Sequence, residues 1–180
     1  GNASARVPGI VASVFLRLGL IDEGMSQLRL AIERAERAKD LMLALTARAN
    51  LAQLARDESE KVAQINAVMA QADILAGSGQ GRRVLSQLLA TAMGLPPARR
   101  SLQTGIIDVL QAIVQKTADG GLRADVLFAQ ATVLEVAGNA MAALDRNDAL
   151  FGHASRSKQV LSPPWLWQRA RLLVALKRDD

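Results

Sequence analysis

The stretch VASVFLRLGLIDEGMSQLRLAIERA, from Val11 to Ala35, decides the fold class. Pro8 can open a helix before it, because proline is tolerated in the first turn, and Gly19 ends that helix as a C-terminal cap. Asp22 is expected to cap a second helix that runs to about Lys39. The apolar residues of this second helix recur at i, i+3 and i+4, at Met25, Leu28, Ala31, Ile32 and Ala35. The stretch therefore predicts two antiparallel helices joined by a tight turn.

The same pattern of helix, tight turn and helix recurs along the chain. Further helices are predicted over about 40–55, 57–76, 82–93, 96–117, 123–136, 139–151 and from 163 onward, with loops at 77–81 and 152–162. The turns fall near Gly19, Asp57, Gly94, Gly138 and Arg178, a period of about 40 residues. Because one hairpin cannot bury its apolar face alone, we expect an all-α superhelix, or solenoid, of about four and a half antiparallel hairpins.

The composition agrees with an all-α domain. Half of the 180 residues are hydrophobic, rich in Ala and Leu, and Tyr is absent. The absence of Cys excludes a disulfide scaffold and a thiolate metal site. No apolar run approaches the ~18 residues of a membrane span, and no signal peptide is visible, so a cytoplasmic location is expected. We interpret residues 1–7 as a tag remnant and flexible start, and 8–180 as a single repeat domain cut from a longer chain.

The net charge of +5 raises the question of nucleic-acid binding. The basic residues are spread along the chain, and the densest pairs are only Arg82-Arg83 and Arg99-Arg100. No aromatic residues interleave with them to stack on bases. Arginines on solvated helix faces are therefore favoured over direct binding of nucleic acid.

The stretch that decides the fold also resembles a tetratricopeptide repeat. Residues of the expected types occupy the packing and turn positions, namely Val11, Ala12, Phe15, Gly19, Ile21, Asp22, Glu23, Gly24, Leu28 and Ala31. A looser match over Leu127 to Leu150 uses Leu127, Ala131, Leu134, Gly138 and Ala143, and Trp167 falls on the early aromatic position of the last hairpin. The resemblance implies a right-handed superhelix whose concave surface is lined by the first helix of each hairpin.

The match to that family is uneven. Pro96-Pro97 stand where the second helix of the middle hairpin should begin, and the period exceeds the usual ~34 residues. Longer hairpins rich in Ala, Leu and Arg are similar to the superhelical sensor region of the large LuxR-type bacterial regulators related to the maltose activator. This second resemblance implies a sensor or regulatory domain of a signal-responsive transcription regulator.

Residues that could support catalysis all have simpler explanations. His153 is the only histidine and lies beside Ser155 and Ser157 in a predicted loop, but no nucleophile-elbow sequence accompanies it. The glycine-rich 77–81 segment follows a helix and lacks the Lys-Ser/Thr of a phosphate-binding loop. Acidic pairs such as Asp22-Glu23 stand at helix starts, where capping explains them. We therefore expect that the chain is not an enzyme and that it binds no metal and no cofactor.

Two tryptophans, Trp165 and Trp167, begin the last predicted helix. Two residues apart on a helix, they point about 200° away from each other. If Trp167 packs on the fourth hairpin, Trp165 is left toward the concave groove or over the preceding loop. An apolar face around Leu173 and Leu176 is then expected to stay open.

The resemblance also implies a binding groove. Its candidate lining residues are Ser13, Arg17, Arg48, Arg56, Asp125, Phe128, Thr132, Glu135, Trp165 and Gln168. This set is more basic toward the N-terminal end, which suits an acidic or amphipathic peptide segment, or a small-molecule effector. The alternative is a stand-alone tetratricopeptide scaffold for protein–protein assembly, at the cell envelope for instance, and exposed end hairpins make a homodimer plausible.

Overall fold

The computed structural model describes residues 2–117 and 119–177, and every regular element among them is a helix. The predicted all-α class is therefore confirmed. The helices are α1 (Asn2–Arg17), α2 (Ile21–Arg37), α3 (Leu41–Leu54), α4 (Glu58–Met69), α5 (Ala72–Leu75), α6 (Gly79–Met93), α7 (Arg100–Thr117), α8 (Gly120–Val136), α9 (Ala140–Ser157) and α10 (Pro163–Leu176), with a 3₁₀ turn at Pro97–Arg99.

The chain divides into two compact units, Gly1–Gly94 and Leu95–Asp180. In the first unit α1 packs on α2, α2 on α3, α3 on both α4 and α6, and α5 on α6. In the second unit α7 packs on α8, α8 on α9, and α10 on both α9 and α8. Most successive helices within each unit are thus neighbours in space, as expected of linked hairpins.

Small residues set the spacing of the helices in the first unit. Its core includes Ala12, Ala31 and Ala47, each no more than 3% exposed, beside the larger Leu28 and Leu51. Alanine at a contact lets two helix backbones approach closely, while the leucines fill the space between them. The Ala-rich composition is therefore concentrated where the helices meet.

Several helix starts are capped by the side chain of the preceding residue, as local capping rules predict. Asp40 accepts a hydrogen bond from the backbone N of Leu43 (3.1 Å), and Asp57 accepts one from the N of Glu60 (2.7 Å). The expected cap at Asp22 is wrong, because α2 begins at Ile21 and Asp22 lies within its first turn. There its negative charge is attracted by the positive end of the helix dipole, which stabilises the helix.

Five described residues take up a left-handed backbone conformation. Gly19 (φ 76°) and Gly138 (φ 78°) do so in the turns that the sequence predicted. Lys39, Lys158 and Lys177 adopt the same conformation at or just after a helix end, with φ between 53° and 56°. A side chain makes this conformation unfavourable, so these three turns carry backbone strain that glycine would avoid.

Several predicted boundaries were wrong. Helix α1 begins at Asn2, so Pro8 lies inside it and the first residues are helical. The helix predicted over 57–76 is broken between α4 and α5. Helix α9 continues to Ser157, so the predicted loop begins six residues later than expected. The turn predicted near Arg178 lies outside the described residues, and among those residues no helix is long and apolar enough to cross a membrane.

Candidate binding surfaces

A groove of about 490 Å³ lies in the first unit between α1, α3 and the start of α6. We call it the α1–α3 groove. Its apolar lining includes Ile10, Met42 and Leu43, and its polar lining includes Arg6, Ser13, Asp40, Thr46, Asn50 and Gln80. A lining of this kind can take a ligand that has both apolar and hydrogen-bonding groups.

Side-chain amides hold one wall of this groove in place. Gln87 on α6 donates hydrogen bonds to Asn50 Oδ1 (2.7 Å) and to Gln53 Oε1 (3.0 Å), both on α3. Gln80, in the first turn of α6, lies 3.4 Å from Thr46 Oγ1. These contacts fix α6 against the face of α3 that lines the groove, so the groove is formed before any ligand arrives.

The outer face of α1 carries a stripe of exposed apolar side chains, which we call the α1 ridge. Val7, Ile10 and Val14 on α1, and Leu18 directly after its last residue, are between 51% and 68% exposed. Their spacing of i, i+3, i+7 and i+11 places them on one side of the helix. Ile10 also lines the α1–α3 groove, so the ridge and the groove form one continuous surface.

Two of the predicted groove residues, Ser13 on α1 and Arg48 on α3, line different cavities. Ser13 lines the α1–α3 groove, and its hydroxyl donates to the carbonyl of Gly9 (3.0 Å). Arg48 instead lines a second cavity, of about 520 Å³, between α2, α3 and α4. There it donates to Gln64 Oε1 (2.6 Å) and pairs with Glu36. The structure does not bring Ser13 and Arg48 into one groove.

The other two predicted residues of the first unit lie at its surface. Arg17 is exposed in the last turn of α1. Arg56 precedes α4, and its side chain is 74% exposed, with one guanidinium nitrogen 3.8 Å from Asp22 Oδ1. Neither lines the α1–α3 groove.

Three of the predicted residues in the second unit form one polar network. Gln168 on α10 donates to Thr132 Oγ1 (2.9 Å) and to Glu135 Oε2 (3.3 Å), both on α8. It also accepts a hydrogen bond from Asn147 Nδ2 on α9 (3.2 Å). Gln168 and Asn147 are both 0% exposed. The expectation that Gln168 faces an open groove is therefore wrong, because its amide is consumed in joining three helices.

The two tryptophans have exchanged the predicted roles. Trp165 packs beside Phe128 and Phe151 against a core that includes Leu150. Trp167 is 68% exposed, so the expectation that it anchors α10 is wrong. The leucines expected to stay open, Leu173 and Leu176, pack against the buried Leu172 cluster instead. The helix is rotated so that its exposed apolar residues are Leu166, Trp167 and Val174. The remaining predicted residue, Asp125, is half-buried on α8.

Two arginine–glutamate pairs link alternate helices. Arg171 on α10 donates to both carboxylate oxygens of Glu135 on α8 (2.8 and 3.1 Å), and this contact, with help from Gln168, lowers the pKa of Glu135. Arg29 on α2 makes the same two-pronged contact with Glu60 on α4 (2.7 and 2.8 Å), which lowers the pKa of Glu60. Bidentate pairs of this kind fix the relative orientation of the two helices.

The residues weighed for chemistry have structural roles. His153 lies in α9, and its Nε2 is 2.8 Å from the Gly120 carbonyl, to which it donates. Ser157 Oγ bonds to the backbone carbonyl of His153 rather than to the imidazole (2.8 Å). In the glycine-rich segment, Ser78 Oγ accepts from the N of Gly81 (2.9 Å) and thereby caps α6.

No family model, no curated protein and no solved structure matches this chain. The resemblance to tetratricopeptide repeats therefore stays a prediction.

The α1 ridge and the α3 wall of the groove were missed at the sequence level, although both leave a signal. The spacing of Val7, Ile10 and Val14 is a helical stripe in its own right, but the interpretation of residues 1–7 as a tag remnant removes Val7 from it. On α3, Thr46 and Asn50 follow each other at i, i+4 on one face of a helix otherwise rich in Ala and Leu. A search for polar stripes within apolar helices would have found them.

Proposed function

We propose that this chain is a non-enzymatic helical-repeat module that binds a protein partner through the α1 ridge and the adjoining α1–α3 groove. The partner segment is an amphipathic helix with acidic residues beside its apolar face. The observation that carries this proposal is the exposure of four aliphatic side chains along one side of α1 and of the residue that directly follows it. A helix that is apolar on both sides is normally covered on both sides.

The energy available from covering the ridge is substantial. Full burial of an aliphatic side chain contributes about 1.5–3 kcal/mol, and each ridge residue has about half of its surface left to bury, so four of them supply about 4 kcal/mol. A micromolar complex needs about 8 kcal/mol after association costs. The groove must therefore contribute as well, and its polar lining supplies the direction of binding.

The charge of α1 favours an acidic partner over a second copy of the chain. Helix α1 contains Arg6 and Arg17 and no acidic residue. Two α1 helices packed on each other would bring together faces that carry only positive charge, whereas glutamates beside an apolar stripe would pair with both arginines.

The wider context of the proposal follows from the resemblances. We propose that the hairpins form a right-handed solenoid of about four and a half hairpins, which acts in the cytoplasm as the sensor or regulatory region of a LuxR-type transcription regulator. Binding in the groove would bias attached domains by shifting the packing of the hairpins. The alternative, a stand-alone assembly scaffold, uses the same surface. An ATPase domain before this segment and a helix-turn-helix domain after it, in the full-length gene, would support the regulator, and a membrane anchor would contradict it.

A designed peptide tests the proposal directly. The probe is a fluorescein-labelled helix with leucines at i, i+3, i+4 and i+7 and glutamates on the flanking positions, titrated by fluorescence polarisation. We expect this peptide to bind the wild-type chain. Its affinity for the Ile10→Gln variant, which lacks the centre of the ridge, should be more than tenfold weaker. A peptide with lysine in place of each glutamate should bind the wild-type chain more weakly than the acidic peptide does.

Ile74→Gln is the matched control, because Ile74 is 56% exposed on α5 and lines neither the ridge nor the groove. It should leave binding unchanged. Failure of the acidic peptide to bind, or equal binding by both variants, would contradict the proposal. If the wild-type chain is instead a dimer in analytical ultracentrifugation and Ile10→Gln makes it monomeric, the ridge serves self-association.

A further inference from the structure

A smaller cavity lies in the second unit, away from the surfaces described so far. It has a volume of about 170 Å³ and is bounded by α7, α8 and α9. Its apolar side is formed by Ile107, Val133 and Leu134. Ile107 is only 3% exposed, so it lies at the floor, whereas Val133 and Leu134 are partly buried.

One polar atom at this cavity has no hydrogen-bond partner. Gln130 lines the cavity, and its Oε1 is buried without any partner in the described part of the chain. Buried side-chain oxygens are almost always hydrogen-bonded in native proteins, so an unsatisfied one needs an explanation. A ligand that brings an N–H or O–H group into the cavity would satisfy it.

Opposite charges stand at the rim. Asp108 on α7 and Arg146 on α9 both line the cavity and are exposed. Within residues 2–117 and 119–177 neither side chain has an ion-pair or hydrogen-bond partner, so the carboxylate of Asp108 and the guanidinium of Arg146 do not pair with each other. The cavity therefore offers a carboxylate, a guanidinium and a buried acceptor, each from a different helix, beside an aliphatic floor.

We infer that this cavity binds a small α-amino acid with a short aliphatic side chain. The ammonium group pairs with Asp108 and donates to Gln130 Oε1, and the carboxylate pairs with Arg146. The side chain lies against Ile107 and Leu134. The volume of about 170 Å³ is enough for a molecule of valine's size.

This site is independent of the α1 ridge, so its failure would leave the proposed peptide binding untouched. It would make the second unit the part of the chain that responds to a metabolite, while the first unit holds a protein.

Titration of the ¹⁵N-labelled chain with L-valine, followed by chemical shifts, tests the inference. We expect saturable shifts at Ile107, Gln130 and Val133. Isovalerate lacks the ammonium group and isobutylamine lacks the carboxylate, and each should bind about tenfold or more weakly, because each loses a charge-assisted hydrogen bond.

Variants at the rim give the matched comparison. Arg146→Gln and Asp108→Asn should each weaken L-valine binding about tenfold or more. Arg123→Gln and Asp145→Asn remove the same charges from exposed positions on α8 and α9 that do not line the cavity, and they should leave binding unchanged.

Gln130→Met separates a ligand acceptor from a structural residue. It removes the unsatisfied oxygen, so the ligand-free chain should melt about 2–4 °C higher while L-valine binds more weakly. The inference is overturned if L-valine causes no saturable shifts at about 10 mM, if the two analogues bind as well as L-valine, or if the rim variants bind it as the wild type does.

Discussion

The buried amide of Gln168 should be essential for holding α10 in place, and Gln168→Met tests this. Methionine keeps the length of the side chain and its helix propensity but removes three hydrogen bonds, to Thr132, Glu135 and Asn147. Two neutral bonds at about 1 kcal/mol each and one to a carboxylate at about 2 kcal/mol give a loss of about 4 kcal/mol. The apolar thioether gains about 1 kcal/mol from its own burial, so the free energy of unfolding should fall by about 3 kcal/mol.

Two measurements follow the effect. Urea denaturation monitored by circular dichroism gives the change in the free energy of unfolding. Hydrogen exchange then shows where stability is lost, and protection should fall first in α10, which packs mainly on α9 and α8. Gln115→Met is the control, because Gln115 is exposed on α7 and its replacement should change stability by less than about 0.5 kcal/mol.

A second substitution checks that the loss comes from the network itself. Asn147→Leu combined with Gln168→Met replaces both buried amides by apolar groups, so the double variant should lose less stability than the sum of the two single variants. A loss below about 1 kcal/mol for Gln168→Met, or strict additivity in the double variant, would refute the reasoning.

Three further outcomes are expected. Because the pKa of Glu135 is lowered in the folded chain, its stabilising effect is present above the pKa of the unfolded chain and is lost as the pH falls through the pKa of the folded chain. The difference in the free energy of unfolding between wild type and Glu135→Gln should therefore shrink on acidification. A difference that is independent of pH would contradict this. Trp165→Ala should cost about 2–3 kcal/mol and Trp167→Ala less than about 0.5 kcal/mol in denaturation experiments, and the reverse order would refute the observed rotation of α10. Gly81→Ala should destabilise the fold strongly, because the new Cβ would lie 2.0 Å from the Leu75 carbonyl oxygen. Gly105→Ala, inside α7, meets nothing within 4 Å and should raise the free energy of unfolding by about 1 kcal/mol. Melting temperatures of the two variants measure both effects.

Local signals in the sequence were sufficient for the fold class and for most turns. Asp40 and Asp57 cap the helices predicted to follow them, and Gly19 and Gly138 take up the left-handed conformation that ends a helix. These features depend on a few neighbouring residues and on backbone sterics, so they can be predicted without knowledge of the tertiary structure.

The candidate site was harder to predict, because it depends on how each helix is rotated. Trp165, Trp167 and Gln168 lie within four residues, and the sequence suggested burying the second tryptophan. The structure buries the amide instead, because Thr132, Glu135 and Asn147 on two other helices satisfy it. A polar residue whose partners lie more than 20 residues away in sequence gives no local sign of being buried.

The left-handed lysines at the helix ends have a consequence for the response of the protein to salt. A side chain in this conformation costs about 1–2 kcal/mol, and a positive charge beside the negative end of a helix dipole returns about 0.3–1 kcal/mol. Added salt screens the second contribution and leaves the first unchanged. The turns at Lys39 and Lys158 should therefore open more readily in concentrated salt, so the ionic strength of the surroundings sets how firmly successive helices are joined.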